Sequence, residues 1–151
     1  PKSDWVAAAA AFGQAYPQAG AYGSRIKGVF ETPPDDTVRP LLRFLAIRDH
    51  GDAPRQFQVQ RTQLPPGAGL VVRRSAWNDC IPSQLKNITR AGDDYEISIR
   101  MANQGWEIWY NPAMEIGHFI PANRLTRDYL LSLTHLYGLT TCSLLMLHTP
   151  P

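Results

Sequence analysis

Residues 93–104 carry the plainest helical signal in the chain, and what ends that helix leads directly into a strand. Ile97 and Met101 stand at i and i+4 with Ile99 beside them, and Glu96 precedes Arg100 by one turn as an acid-to-base pair. Gly105 follows in the place of a helix-terminating residue. Trp106-Glu107-Ile108-Trp109-Tyr110 then alternates with a period of two, which puts Trp106, Ile108 and Tyr110 on one face of a strand. A helix feeding a strand at this distance makes the chain mixed α/β.

The remaining segments fit that class. Asp4 reads as an N-cap for an alanine-rich helix to about residue 16, ended by Pro17 and Gly20. Residues 22–30 read as a strand, and residues 33–36 as a Pro- and Asp-rich loop. Pro40 opens a short helix to Ile47, and residues 50–54 form another loop. Phe57 and Val59 alternate with glutamines, predicting a short strand with one buried face. Leu64-Pro65-Pro66-Gly67-Ala68-Gly69 is a rigid turn feeding a strand at 70–72, with a short helix from Arg73 to Trp77 and a polar loop at 82–91. Asn111-Pro112 should break the Trp106 strand, leaving a second short one at 114–118. Asn123 should cap a long helix at 124–137, with Leu125, Tyr129, Leu130 and Leu133 on one side. The strands are too few for a complete doubly wound sheet, which suggests part of a domain.

Composition narrows the function classes. With 151 residues, 44% of them hydrophobic and 19% charged, the chain suits one compact domain rather than disorder. The net charge of +2 comes without a dense Lys/Arg stripe, so nucleic acid is not an expected partner. Two cysteines, Cys80 and Cys142, give no disulfide scaffold and no metal spacing; they read as core or inert thiols in a reducing compartment. No stretch approaches the roughly 20 apolar residues of a membrane-crossing helix. Pro1 at the start and an apolar run closing on Pro150-Pro151 suggest a piece of a longer protein.

Gly92-Asp93-Asp94-Tyr95-Glu96 is the sharpest candidate for chemistry. Paired carboxylates at a helix start meet free N–H groups and the positive end of the helix dipole. Such a carboxylate can serve as a general base, or it can simply cap the helix. His118 at a strand end is either a metal contact or an ordinary histidine bonded to backbone; His50, His135 and His148 read as ordinary. Gly67 and Gly69 allow either close backbone approach to a ligand or a turn after Pro65-Pro66. Trp106, Trp109, Tyr110 and Trp77 are ligand-stacking or core aromatics. Arg124 and Arg127 are anion contacts or a solvated face. Asp35-Asp36 lies in a Pro-rich loop and is not taken as a metal motif.

The sequence from residue 91 to 130 resembles the C-terminal region of family 2 glycosyltransferases. The matching residues are Gly92-Asp93-Asp94, Glu96, Ile97, Arg100 and the run Gly105-Trp106-Glu107-Ile108-Trp109-Tyr110-Asn111-Pro112. Ile116, His118, Ile120-Pro121, Arg124-Leu125 and Arg127-Asp128-Tyr129-Leu130 continue it. This extended form is similar to hormogonium polysaccharide biosynthesis glycosyltransferases. Asp4-Trp5-Val6, Phe12-Gly13-Gln14 and the run from Ala19 to Ser24 resemble the segment after that family's metal-binding Asp-x-Asp strand. Pro65-Pro66-Gly67-Ala68-Gly69-Leu70-Val71-Val72-Arg73 resembles its glycine-rich acceptor-side strand.

The resemblance implies the C-terminal part of a GT-A, Rossmann-like domain spanning 1–151, with a mixed sheet, flanking helices and the nucleotide-binding N-terminal half missing. It implies an inverting transfer from a nucleotide-sugar donor to a glycan or polysaccharide-precursor acceptor, with Asp94 as base and Asp93 beside it. Asp93 departs from the family's usual Glu, drawing that carboxylate back by one methylene. Gly67, Ala68, Gly69, Trp106 and Arg124 would contact substrate, and His118 would be a metal ligand. A divalent metal, Mg2+ or Mn2+, would be held chiefly by residues outside this chain, so the isolated chain is expected to be inactive. The expected location is cytoplasmic, at the inner face of the membrane, with peripheral association left open. The alternative is a non-catalytic carbohydrate-binding module.

Overall fold

The computed structural model describes residues 3–59, 64–85 and 92–147. Its frame is one long parallel pair: β1 (Ala19–Phe30) runs beside β4 (Glu107–Ile120). Two short antiparallel strands flank the pair, β2 (Arg55–Gln56) on β4 and β3 (Val71–Val72) on β1, giving the order β2-β4-β1-β3. The chain is therefore α/β with a mixed four-stranded sheet and flanking helices. Strands paired in parallel need a long crossover, and residues 31–106 supply it.

Helices cover both faces of the pair. On one side α1 (Trp5–Ala15) sets Ala9 and Phe12 against Ala19, Tyr22 and Met114. On the other, α2 (Arg74–Cys80) and α3 (Asp93–Asn103) bring Ala76, Ile99 and Met101 onto Ala21, Ile108 and Tyr110. Coverage on both sides is the usual condition of a parallel pair. Gly20 is required here by space, because a Cβ at that position would stand 2.7 Å from the Trp106 Cβ. A third cluster joins Leu45, Ile120 and Leu130, packing a 3₁₀ helix (Arg39–Leu45) and α4 (Arg127–Leu145) at the far end of the ladder.

Asn111-Pro112 does not end the strand as expected. Ser24 pairs with Asn111 and Arg25 pairs with Glu115, so three residues of β4 bulge out between consecutive residues of β1. Pro112 has no N–H for a ladder, and the Asn111 Oδ1 accepts the Ala113 N–H at 3.1 Å, closing a local turn. The bulge turns Met114 into the α1 cluster, fully buried.

Other boundaries shift as well. Phe57 and Val59 are buried with Gln58 exposed, as the alternation requires, yet the strand stops at Gln56. The cap of the last long helix is Thr126, whose Oγ1 accepts the Tyr129 N–H at 3.4 Å, while Asn123 lies in a short 3₁₀ turn (Ala122–Leu125). That helix also continues to Leu145 rather than stopping at Tyr137. Cys142 on α4 is exposed, not core; Cys80 is half-buried, and both are free thiols. Among the described residues no helix is long and apolar enough to cross a membrane. The loop expected at 82–91 lies partly outside the described residues.

Arg73 fastens the α1–β1 connection to the segment that leads into α2. Its guanidinium donates to the carbonyls of Gly13, Tyr16 and Ala19 at 2.7, 3.1 and 2.9 Å. Arg73→Met should lower the unfolding free energy by about 3 kcal/mol, given the worth of hydrogen bonds from a charged donor. Urea denaturation followed by circular dichroism measures the loss, and a wild-type midpoint would remove this role.

Candidate functional site

Asp94 is placed by two local features. Gly92, at φ 96°, turns the chain into α3 from the left-handed region that glycine favours, and its carbonyl accepts the Glu96 N–H at 2.9 Å. Asp94 then falls in the first turn, and its Oδ1 accepts the Tyr95 N–H at 2.9 Å. The Oδ2 reaches across to the glycine-rich turn and accepts the Gly67 N–H at 2.6 Å. Capping and facing a pocket thus coincide in one carboxylate.

That carboxylate lines a cavity of about 580 Å³ enclosed by the end of the 3₁₀ helix, the 47–50 segment, the start of α3 and the later turns of α4. Burial raises the Asp94 pKa above the ordinary carboxylate value. The N–H groups of Gly67 and Tyr95 oppose the shift, and the negative charge of Asp93 adds to it. Tyr137 shares the cavity and is pushed up to about 12, mainly by burial, so its phenol stays protonated. His50 is edge-on to the rings of Phe57 and Tyr110, with centroids 5.3 and 5.1 Å away. Burial first, then the guanidiniums of Arg55 and Arg48, hold its pKa below the usual histidine value.

Of the residues expected from sequence, Gly67 joins Asp94 directly. Gly69 acts one step away: it adopts φ 68°, and its carbonyl accepts the Ser24 hydroxyl at 2.7 Å, while Ser24 Oγ accepts the Trp5 indole N–H at 3.0 Å. Ala68 sits half-buried between them. Asp93 is exposed and does not line the cavity. Trp106 lies on the α2/α3 side of the sheet, against Gly20, and lines a separate cavity of about 610 Å³ with Gln56 and Glu107. The one carboxylate of that second hollow among the described residues, Glu107, accepts the Trp109 indole N–H at 2.8 Å, so the chemistry is sought beside Asp94.

His118 and Arg124 form a third locality. His118 pairs in register with Gly28 near the far end of the ladder. Burial, then the Arg124 charge, lower its pKa, and its Nδ1 is buried with no hydrogen-bond partner among the described residues. Arg124 donates to the Tyr129 hydroxyl at 2.7 Å and lies over that ring. Asp35 and Asp36 serve their own loop, accepting from the Thr37 N–H and pairing with Arg39.

Sequence reasoning passed over Arg43, Arg48, Tyr95 and Tyr137, and gave His50 no function. These residues come from three separated segments, and only Tyr95 lies within a motif, where it was given no role of its own.

The raised Asp94 pKa has a consequence for stability. Between the unfolded value and the higher folded one, the native state holds more protons than the unfolded state, so native stability falls as pH rises through that window. Unfolding curves taken across the acid range should show wild type losing ground to Asp94→Asn with rising pH. A pH-independent difference between the two would remove the shift. None of the family models, curated proteins or solved structures compared with the chain matches it.

Proposed function

We propose that the chain is the acceptor-side part of an inverting GT-A-type glycosyltransferase, in which Asp94 takes the proton from the acceptor hydroxyl. The observation that carries this reading is the Asp94 carboxylate itself: half-buried, raised in pKa, fixed by the Gly67 and Tyr95 amides, and lining a cavity of sugar size. A carboxylate with a raised pKa is a stronger base, and two N–H donors hold it in one orientation. As the proton moves to Asp94, the acceptor oxygen bonds to the anomeric carbon. The bond from that carbon to the donor's diphosphate oxygen breaks with its electron pair, and the configuration inverts.

The resemblance around Gly92-Asp93-Asp94 and Gly105-Trp106 to Pro112 supports the same assignment, and a parallel pair with helices on both faces fits it. A GT-A donor site calls for Mg2+ or Mn2+ on the diphosphate. Among the described residues no three His, Cys, Asp or Glu side chains come together, and His118 has the Arg124 cation beside it. The described residues do not fit such a metal, so the reading places its ligands elsewhere in the enzyme and no step here runs through it. Work on a polysaccharide precursor at the cytoplasmic face of a membrane belongs to the same proposal. A binding module built on the aromatic strand is less well supported. Tyr110 is buried, and the Trp109 indole is bonded to Glu107 at 2.8 Å.

The test is turnover in the full-length protein, screened with uridine and guanosine diphosphate sugars by release of nucleoside diphosphate. Asp94→Asn should cut transfer roughly 10²- to 10⁴-fold while donor affinity stays the same. Equal transfer by that variant would sink the assignment.

A further inference from the structure

The donors around the Asp94 cavity outnumber what its own acids can use. Arg48 is held by neutral groups: its Nη1 donates to the carbonyls of Arg43 and Ile47, and its Nη2 to the Tyr95 hydroxyl at 3.3 Å. No carboxylate among the described residues pairs with it. A guanidinium has five N–H groups, and these bonds use three. The Nε–H and one Nη2–H have no acceptor among the described residues. Nε and Nη2 share one edge of the guanidinium plane, the edge that grips a carboxylate or phosphate in bidentate fashion.

The neighbours reinforce this balance. Arg43 lines the same cavity, is exposed, and has only a cation–π contact, 5.0 Å from its own neighbour Phe44, to offset its charge among the described residues. The Tyr95 oxygen accepts from Arg48, which leaves its own hydrogen free to donate. The two acids are otherwise engaged. Asp49 is spoken for by Arg25 at 3.3 Å and the Gly51 N–H at 2.9 Å, and Asp94 by Gly67 and Tyr95. Two arginines without carboxylate partners among the described residues therefore line a cavity whose acids are satisfied.

We propose that this cavity binds a saccharide bearing an anionic group, a carboxylate or a phosphate, held by Arg48 and Arg43 with its hydroxyl edge toward Asp94. Calling that saccharide the acceptor rests on the reading of Asp94 as base; the anion site itself does not. The site selects by charge, since a neutral sugar offers Arg48 no anionic, bidentate acceptor.

Calorimetric titration of the full-length protein with glucuronic acid, glucose 6-phosphate and glucose tests this and needs no turnover. At least one charged sugar should bind about tenfold or more tighter than glucose, and which one identifies carboxylate or phosphate as the group recognised. Arg48→Gln should loosen the charged sugar by roughly tenfold or more and leave glucose unchanged, with Arg48→Lys in between because it lacks the bidentate edge. Arg43→Gln, an exposed change that leaves the Arg48 bonds intact, should weaken the charged sugar in the same direction even if Arg48→Gln fails to fold. Asp94→Asn should keep or improve the affinity. Charged sugars no tighter than glucose, or arginine variants of wild-type affinity, overturn the proposal. Uridine diphosphate binding more tightly with the same arginine dependence also overturns it, by giving the site to the donor. Inorganic phosphate binding as tightly as glucose 6-phosphate removes the saccharide. If Asp94→Asn retains transfer but binding still depends on Arg48, the base reading fails and the anion site stands.

Discussion

Everything else in the structure hangs on the parallel ladder between β1 and β4. It joins residues more than 80 positions apart, from Ala19 with Glu107 to Phe30 with Ile120. Once it forms, its two faces dictate what can cover them, α1 on one and α2 with α3 on the other. The edge strands are two residues each and contribute little by themselves. Closing so long a loop costs entropy before any contact offsets it, so the sheet and its helices form together or not at all.

The site is a by-product of that arrangement. Tyr110 is buried in the α2/α3 face, yet its hydroxyl accepts from Arg25 at 3.2 Å and donates toward the Gly51 carbonyl at 3.2 Å. One side chain thus belongs to the core and also pins the 49–52 loop that forms part of the cavity wall. Glu96, fully buried and paired with Arg100 at 2.7 Å one turn on, stiffens the first turns of α3 from within. Removing one partner of a buried pair is costly, which holds the helix start, and Asp94 with it, in place.

Local chemistry made some of this legible from sequence. Gly92 and Gly105 bracket α3 because both take positive φ, 96° and 88°, and the helix between them was readable for that reason. Asp94 was readable because its first partners lie in its own turn. Asn111-Pro112 was misread because a bulge exists only relative to a partner strand, and β1 lies more than 80 residues upstream. Thr126 displaced Asn123 as the cap because the short 3₁₀ turn before it packs Leu125 into the cluster at the far end of the ladder. The cavity wall was not legible: Arg48 and Tyr95 meet across 47 residues, and no spacing rule links them. The resemblance gives His118 and Asp94 roles in one site, yet Asp94 lines the cavity and His118 pairs with Gly28 near the far end of the ladder.

The bond from Gly67 to Asp94 spans 27 residues and ties the glycine-rich turn to the titrating state of a single acid. A charged acceptor makes that bond strong, and a neutral one makes it ordinary. Protonating Asp94 removes the charge that strengthens this bond, so the turn's tie to α3 is strongest with the carboxylate ionised. The same Gly67–Gly69 turn carries the carbonyl that holds Ser24, and through Ser24 the Trp5 indole at the start of α1. Three hydrogen bonds and one tight turn thus connect the Asp94 carboxylate on one side of the sheet to the helix on the other.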